Sequence, residues 1–175
     1  MTAWTRITHT EVGASGAANI QFTSIPATYT DLVILVSARA DRNTYFDNIN
    51  VIPNGATTGR TTRILFGDGS GRQSFTEAYI SAYGSSTTAT ASTFGNSLIY
   101  IPSYRSNLAK SFSMDSVSEN NATSAVQSIS AGAWTGTDPI TSITLDQGDG
   151  SNWVQGTMAT LYGITAGSSG GVTVS

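Results

Sequence analysis

The residues with chemistry to offer are few and scattered. His9 is the only histidine, and Glu11 follows it on what reads as the same strand face. A Ser-His-Asp triad would have to use this pair, yet no Gly-x-Ser-x-Gly elbow occurs anywhere in the chain. Glycoside cleavage needs two carboxylates roughly 5 to 9.5 Å apart. Asp115 and Glu119 share a strand, and four residues at about 3.3 Å each put them roughly 13 Å apart. Asp146 and Asp149 flank a loop and come closer, but Asp in such loops accepts local backbone N–H groups. The Gly-rich runs Asp146–Asn152 and Gly67–Gly71 bunch oxygen ligands without the spaced acids and terminal Glu of a calcium loop. No Gly-rich phosphate loop precedes a helix. The residues therefore imply no catalytic centre, no cofactor and no metal.

Sugar binding on a β-sheet protein uses exposed aromatic faces beside Asn, Asp or Gln. Tyr45 and Phe46 beside Asp47 and Asn48, Tyr79 with Tyr83, Tyr104, and Trp153 beside Asn152 fit that description. Tyr45, Phe46, Tyr104 and Trp153 are the candidate partner or glycan contacts. The same side chains also suit a two-sheet core or a subunit interface, where large aromatics supply most of the buried area.

The elements that must position these residues read as strands throughout. Charged residues make up 11% of the 175-residue chain, against roughly 25% in an average domain. Ser, Thr and 18 Gly fill the space, a composition suited to strands and turns. The greasiest stretch, Leu32 to Val36, is β-branched-rich, follows Pro26 and ends before Arg39, Asp41 and Arg42. It reads as a strand buried on both faces, fed by the extended Ile25-Pro26 corner. Other strands are expected at Trp4–Val12, Ala18–Phe22, Asn48–Pro53, Ala78–Tyr83, Asn96–Ile101, Lys110–Glu119, Ala125–Trp134, Ile140–Asp146 and Trp153–Ile164, the last two joined as a hairpin. Residues 56–75 read as a long excursion, and Ser85–Thr93 as a solvated Ser/Thr loop. Nine or ten strands at intervals of 8 to 15 residues, with no sustained 3.6-residue period, predict an all-β fold. The expected architecture is a single-domain antiparallel β-sandwich, jelly-roll-like, over residues 1–164.

Residues 165–175 form a Gly/Ser-rich tail. Its Val172-Thr173-Val174 has strand propensity and is expected to dock on a neighbouring subunit or to fold back on its own domain. With no cysteine, disulfides and thiolate metal sites are excluded. Seven Arg and one Lys scattered among eleven acids make no phosphate-facing patch, so nucleic acid is not an expected partner. No apolar run approaches the roughly 20 residues of a membrane span, and residues 1–12 lack the apolar core of a signal peptide.

Three stretches carry a family resemblance: Ile20-Gln21-Phe22-Thr23-Ser24-Ile25-Pro26-Ala27-Thr28-Tyr29-Thr30-Asp31-Leu32, Ile99-Tyr100-Ile101-Pro102-Ser103-Tyr104, and Leu161-Tyr162-Gly163-Ile164. Together they resemble a group of small β-rich virion proteins of tailed bacteriophages, over roughly residues 4 to 164. The resemblance brings no catalytic residues with it. It implies a non-enzymatic structural protein assembled in the host cytoplasm into a virion, namely an oligomeric capsid decoration (cement) or head-fibre protein. A chain this short lacks the long shaft of a complete tail fibre. The implied partners are phage capsid or tail proteins and copies of the same chain. A homotrimer is favoured because it suits both capsid three-folds and fibres. The alternative is a receptor-binding tail or fibre module that recognises host surface glycans.

Overall fold

The computed structural model describes residues 4–121 and 124–165. Twelve strands account for its regular structure: β1 (Trp4–Glu11), β2 (Ile20–Phe22), β3 (Asp31–Ala38), β4 (Phe46–Pro53), β5 (Arg60–Gly67), β6 (Arg72–Glu77), β7 (Ile80–Ser85), β8 (Gly95–Ile101), β9 (Lys110–Glu119), β10 (Ala125–Trp134), β11 (Ile143–Asp146) and β12 (Met158–Ile164). They form an eight-stranded sheet, ordered β1-β12-β3-β8-β9-β10-β5-β6, and a four-stranded sheet, ordered β2-β11-β4-β7. Every ladder between named strands is antiparallel. The protein is an all-β sandwich, jelly-roll-like in that the chain crosses repeatedly between its two sheets. The expectation for the tail falls on residues 166–175, outside the described ones.

The main core lies between the small sheet and one half of the large one. Leu32, Ile34 and Val36 of β3 meet Ile99 and Ile101 of β8 and Leu161 of β12 on one side, and Ile49, Val51, Phe22, Ile143 and Leu145 on the other. Outside, β3 is less covered than its sequence suggests. Val33 is shielded because its register partners are Tyr162 and Tyr100. Leu35, between Thr160 and Leu98, is exposed. The small sheet covers only one face, so burial on both faces holds only where neighbouring tyrosines supply the second cover. In β1, a register shift between Arg6 and Thr8 lets Ile7 pack on the core, while His9 and Glu11 stay outside.

β7 is buried along its whole length, although it is an edge strand of the small sheet. Its Ile80 and Ala82 belong to the main core, while Tyr83 packs with Ile64, Phe66 and Val126 in a second cluster. The large sheet therefore curls around this edge and reaches both faces of β7. An unpaired edge in an interior would strand its backbone polar groups. Here hydroxyls receive them. Tyr83 N donates to Ser116 Oγ at 3.0 Å, Ser97 Oγ donates to Tyr83 O at 2.7 Å, and Ser81 N donates to Thr62 Oγ1 at 3.3 Å. Ser85 and Ser118 join their hydroxyls at 2.8 Å. Space is as tight as the bonding: a Cβ on Gly132 would lie 3.0 Å from Ile80 Cγ2 and 3.1 Å from Met114 Cε.

Three sequence expectations change. The excursion at residues 56–75 is mostly the β5–β6 hairpin, whose apolar residues point to both faces and so hide its alternation. β11 and β12 are not a hairpin: β11 pairs with β2 and β4, while β12 pairs with β1 and β3. The Ser/Thr loop after β7 is organised around a half-buried cation. Arg39 donates through Nη1 to Thr90 O and Thr93 O at 2.8 Å, and through Nη2 to Thr87 O and Ala89 O at 3.1 and 3.2 Å. Burial lowers the pKa of this guanidinium, and the ring of carbonyls is what offsets its desolvation.

Candidate functional site

The four aromatic candidates do not form an exposed site. Tyr104 and Trp153 are each 1% exposed. Tyr104 uses its hydroxyl to hold Pro26 O, fixing the corner that leads into β3. Trp153 forms bridges with Ala17 and Ala40 and donates Nε1–H to Leu145 O at 3.3 Å, pinning the crossover from β11 to β12. Neither is a glycan contact, because each is needed where the chain changes direction inside the sandwich. Tyr45 and Phe46 are half-buried and stack edge-on, with centroids 4.8 Å apart. Phe46 continues into Phe66 and Tyr83 at 5.5 and 5.3 Å. This cluster seals the end of the sandwich that the small sheet leaves open, and burial raises the pKa of the Tyr83 phenol.

Two other surfaces carry the features of a site. The first is a polar cleft of about 480 Å³ on the small sheet. β4 alternates, so Ile49 and Val51 enter the core while Asn48 and Asn50 face the other way and form the cleft floor. Arg60, at the start of β5, reaches back across it and donates through Nη1 to Asn50 Oδ1 at 2.8 Å and Val51 O at 3.3 Å. Asn50 Nδ2 donates to Asp146 Oδ1 at 2.9 Å. The Tyr79 hydroxyl lies 3.5 Å from Asn48 Nδ2. Opposite, Arg42 pairs with Asp149 at 3.0 Å and with buried Asp47 at 3.2 Å. Burial raises the Asp47 pKa, although Asn48 N–H and the Ser151 hydroxyl act against it. Burial also pushes Asp149 upward, but two hydrogen bonds from Ser151 and the Arg42 charge together hold it below the usual carboxylate value. Burial lowers the Arg60 pKa.

The second surface is the outer face of the large sheet. Cross-strand registers place Thr160, Leu35, Leu98, Asp115, Ile129, Leu65 and Ser74 in one row on that face. The next outward row brings Met158, Val117 and Arg72. Leu65 is 61% and Ile129 63% exposed, and Leu35, Val117 and Met158 are also exposed. Beside them, on the inner face, Ser116, Ser118, Ser128 and Ser130 are buried. The usual polarity of a half-buried strand is inverted here. A concave groove of about 640 Å³ runs along the β6 end of this face, lined by Leu65, Ile129, Gln127, Arg72 and Ser74.

The remaining candidate chemistry resolves into local structure. His9 Nδ1 meets Thr160 Oγ1 at 2.8 Å on the exposed face of β1. β9 pairs in unbroken register, so Asp115 and Glu119 keep their strand spacing. Asp68 Oδ1 accepts from Gly71 N, Ser70 N and Ser70 Oγ at 2.7 to 2.9 Å, the bonding of a turn. Among the described residues no three His, Asp or Glu side chains converge as metal ligands, and no helix is long and apolar enough to cross a membrane. Comparison of the chain with protein-family models, with curated proteins and with solved structures returns no match.

Sequence reading found Asn48 and Tyr79 but paired them with the wrong neighbours. Asn50 and Arg60 went unnoticed, and Arg42 and Asp149 were read only as a strand boundary and a turn carboxylate, because the cleft draws on several separated segments. The outer face had one visible signal: Ile129 is apolar between Ser128 and Ser130, the reverse of the usual alternation.

Proposed function

We propose that this protein is a non-enzymatic structural subunit that assembles with copies of itself through the outer face of the large sheet, as part of a bacteriophage particle. The inverted stretches Ser116–Ser118 of β9 and Ser128–Ser130 of β10, with Leu65 of β5 exposed beside them, carry the reading. Clustered exposed apolar side chains mark an interaction surface, and burying each such side chain is worth about 1.5–3 kcal/mol.

The occupant is a second copy because the face complements itself in shape and charge. Its β5–β6 half is a groove with Arg63 and Arg72 on the same outward positions. Its β1–β9 half presents Leu35, Leu98 and Met158 with Asp115 and Glu11, and only Arg6 as a cation among outward-facing strand residues there. Setting that half of one copy into the groove of the next buries apolar against apolar and brings carboxylates to guanidiniums. Such a contact is heterologous, and a heterologous contact closes as a ring when its rotation permits. A trimer is the expected ring. The resemblance of three segments to virion proteins supports the particle setting. A surface with few charges also docks on a lattice with little desolvation cost.

Sedimentation velocity tests the assembly. The expected result is a concentration-dependent trimer that dissociates in the Leu65→Lys variant and in Asp115→Lys. A monomer at every concentration from micromolar to millimolar would contradict the reading. Co-sedimentation with particles lacking the protein tests the setting: binding to capsids supports a head position, binding to tails alone moves it there, and binding to neither removes the particle from the account.

A further inference from the structure

We infer that the cleft over Asn48 and Asn50 is a binding site for a neutral, hydroxyl-rich saccharide. The inference is independent of self-assembly, since the cleft belongs to the small sheet and the assembly face to the outer side of the large one.

The ligand class follows from the side chains. Planar polar groups with two adjacent polar atoms, such as the Asn48 amide and the Arg60 guanidinium, span neighbouring hydroxyls; the amide both gives and takes hydrogen bonds, and the guanidinium gives them. Their capacity is only half used. Arg60 spends Nη1 on Asn50 and Val51, and among the described residues neither Arg60 Nη2 nor Asn48 Oδ1 has a hydrogen-bond partner. Tyr79 adds an aromatic wall against which the C–H face of a sugar ring can pack. The rest of the network holds these groups still, because Asn50 is fixed from both ends by Arg60 and Asp146. A volume of about 480 Å³ lies within the range of small-ligand sites.

Charge then discriminates between ligands. Arg42 and Arg60 are outnumbered by Asp47, Asp146, Asp149 and Glu77, which lie in contact with the cleft residues. Arg42 is already committed to Asp47 and Asp149. An anionic ligand would meet excess negative charge, whereas a neutral polyol meets donors and acceptors together. The same surplus does not make a cation site, since the carboxylates do not converge.

The test is a glycan array probed with the full chain, containing neutral, uronic-acid and sulfated oligosaccharides. Neutral glycans are expected to bind. The best binder should shift the amide and side-chain NMR signals of Asn48, Asn50 and Arg60 in the unmodified protein. Asn48→Ala and Tyr79→Ala should each weaken binding by about tenfold, the equivalent of one lost hydrogen bond or stacking contact. Leu65→Lys should bind as the unmodified protein does, which separates this site from the assembly face. Binding to no neutral glycan, binding confined to acidic ones, or shifts that map elsewhere would each overturn the inference.

Discussion

β3 and β10 lie in the same sheet, three strands apart, and line its interior in opposite ways. β3 sends Leu32, Ile34 and Val36 inward. β10 sends Ser128, Ser130 and Gly132 inward and keeps Ile129 outside. What lies opposite explains the difference. β3 meets the broad face of the small sheet, which offers only side chains, so burial of apolar area decides its residues. β9 and β10 meet the edge of β7, which offers backbone N–H and C=O groups and sits close. Such an edge selects hydroxyls and small side chains. Apolar residues displaced from that interior are then free to appear outside, where they leave an exposed apolar surface.

Substitutions on the two sides of β9 and β10 should therefore separate folding from association. Gly132→Val has the largest expected effect. Its new side chain would enter a space already filled by Ile80, Met114 and Phe112, lowering stability by about 3 kcal/mol, read from denaturant midpoints. Ser116→Ala comes next. It leaves Tyr83 N–H buried without an acceptor and should lower stability by about 2 kcal/mol. Ser130→Ala removes a buried hydroxyl that has no partner and should change stability by about 0 to +1 kcal/mol. Equal losses for Ser116→Ala and Ser130→Ala would break the edge-satisfaction argument. On the outer side, Ile129→Ser should leave monomer stability within about 0.5 kcal/mol while abolishing assembly.

The smallest effect concerns pH. Hydrogen bonds from Gly71 and Ser70 hold the Asp68 carboxyl below its usual pKa. A carboxyl depressed by folding contributes its full effect above the unfolded value, about 3.9, and loses it as pH falls through the folded one. Exchange protection of the Ser70 and Gly71 amides should therefore persist at about pH 4 and disappear only below it.

Much of the fold was legible where one rule governed one strand. Lys110–Glu119 alternates cleanly, the Ile25-Pro26 corner stands where proline geometry requires it, and Leu32–Val36 is central. Legibility failed where two rules met. Ile64 and Phe66 enter the core while Leu65 stands exposed on the outer face, so β5 is apolar on both faces and showed no period. Trp153 and Tyr104 suited both the core and an exposed site because their neighbours are polar, and elements distant in sequence bury them. The β11–β12 crossover was hidden because alternation within a strand says nothing about which sheet the strand joins. The cleft was hidden for the same reason, its parts being assembled only by that crossover and by the return of β5.

The absence of native cysteine allows a direct test of the central claim, that the outer face seats the same face of another copy. Leu35→Cys and Leu65→Cys proteins are mixed, oxidised at low concentration and run without reductant. The account predicts a disulfide-linked heterodimer formed far faster than either homodimer, because the two positions lie on opposite halves of one heterologous contact. Cross-linking no faster than that of Leu65→Cys with Leu108→Cys, an exposed position off the face, would contradict it.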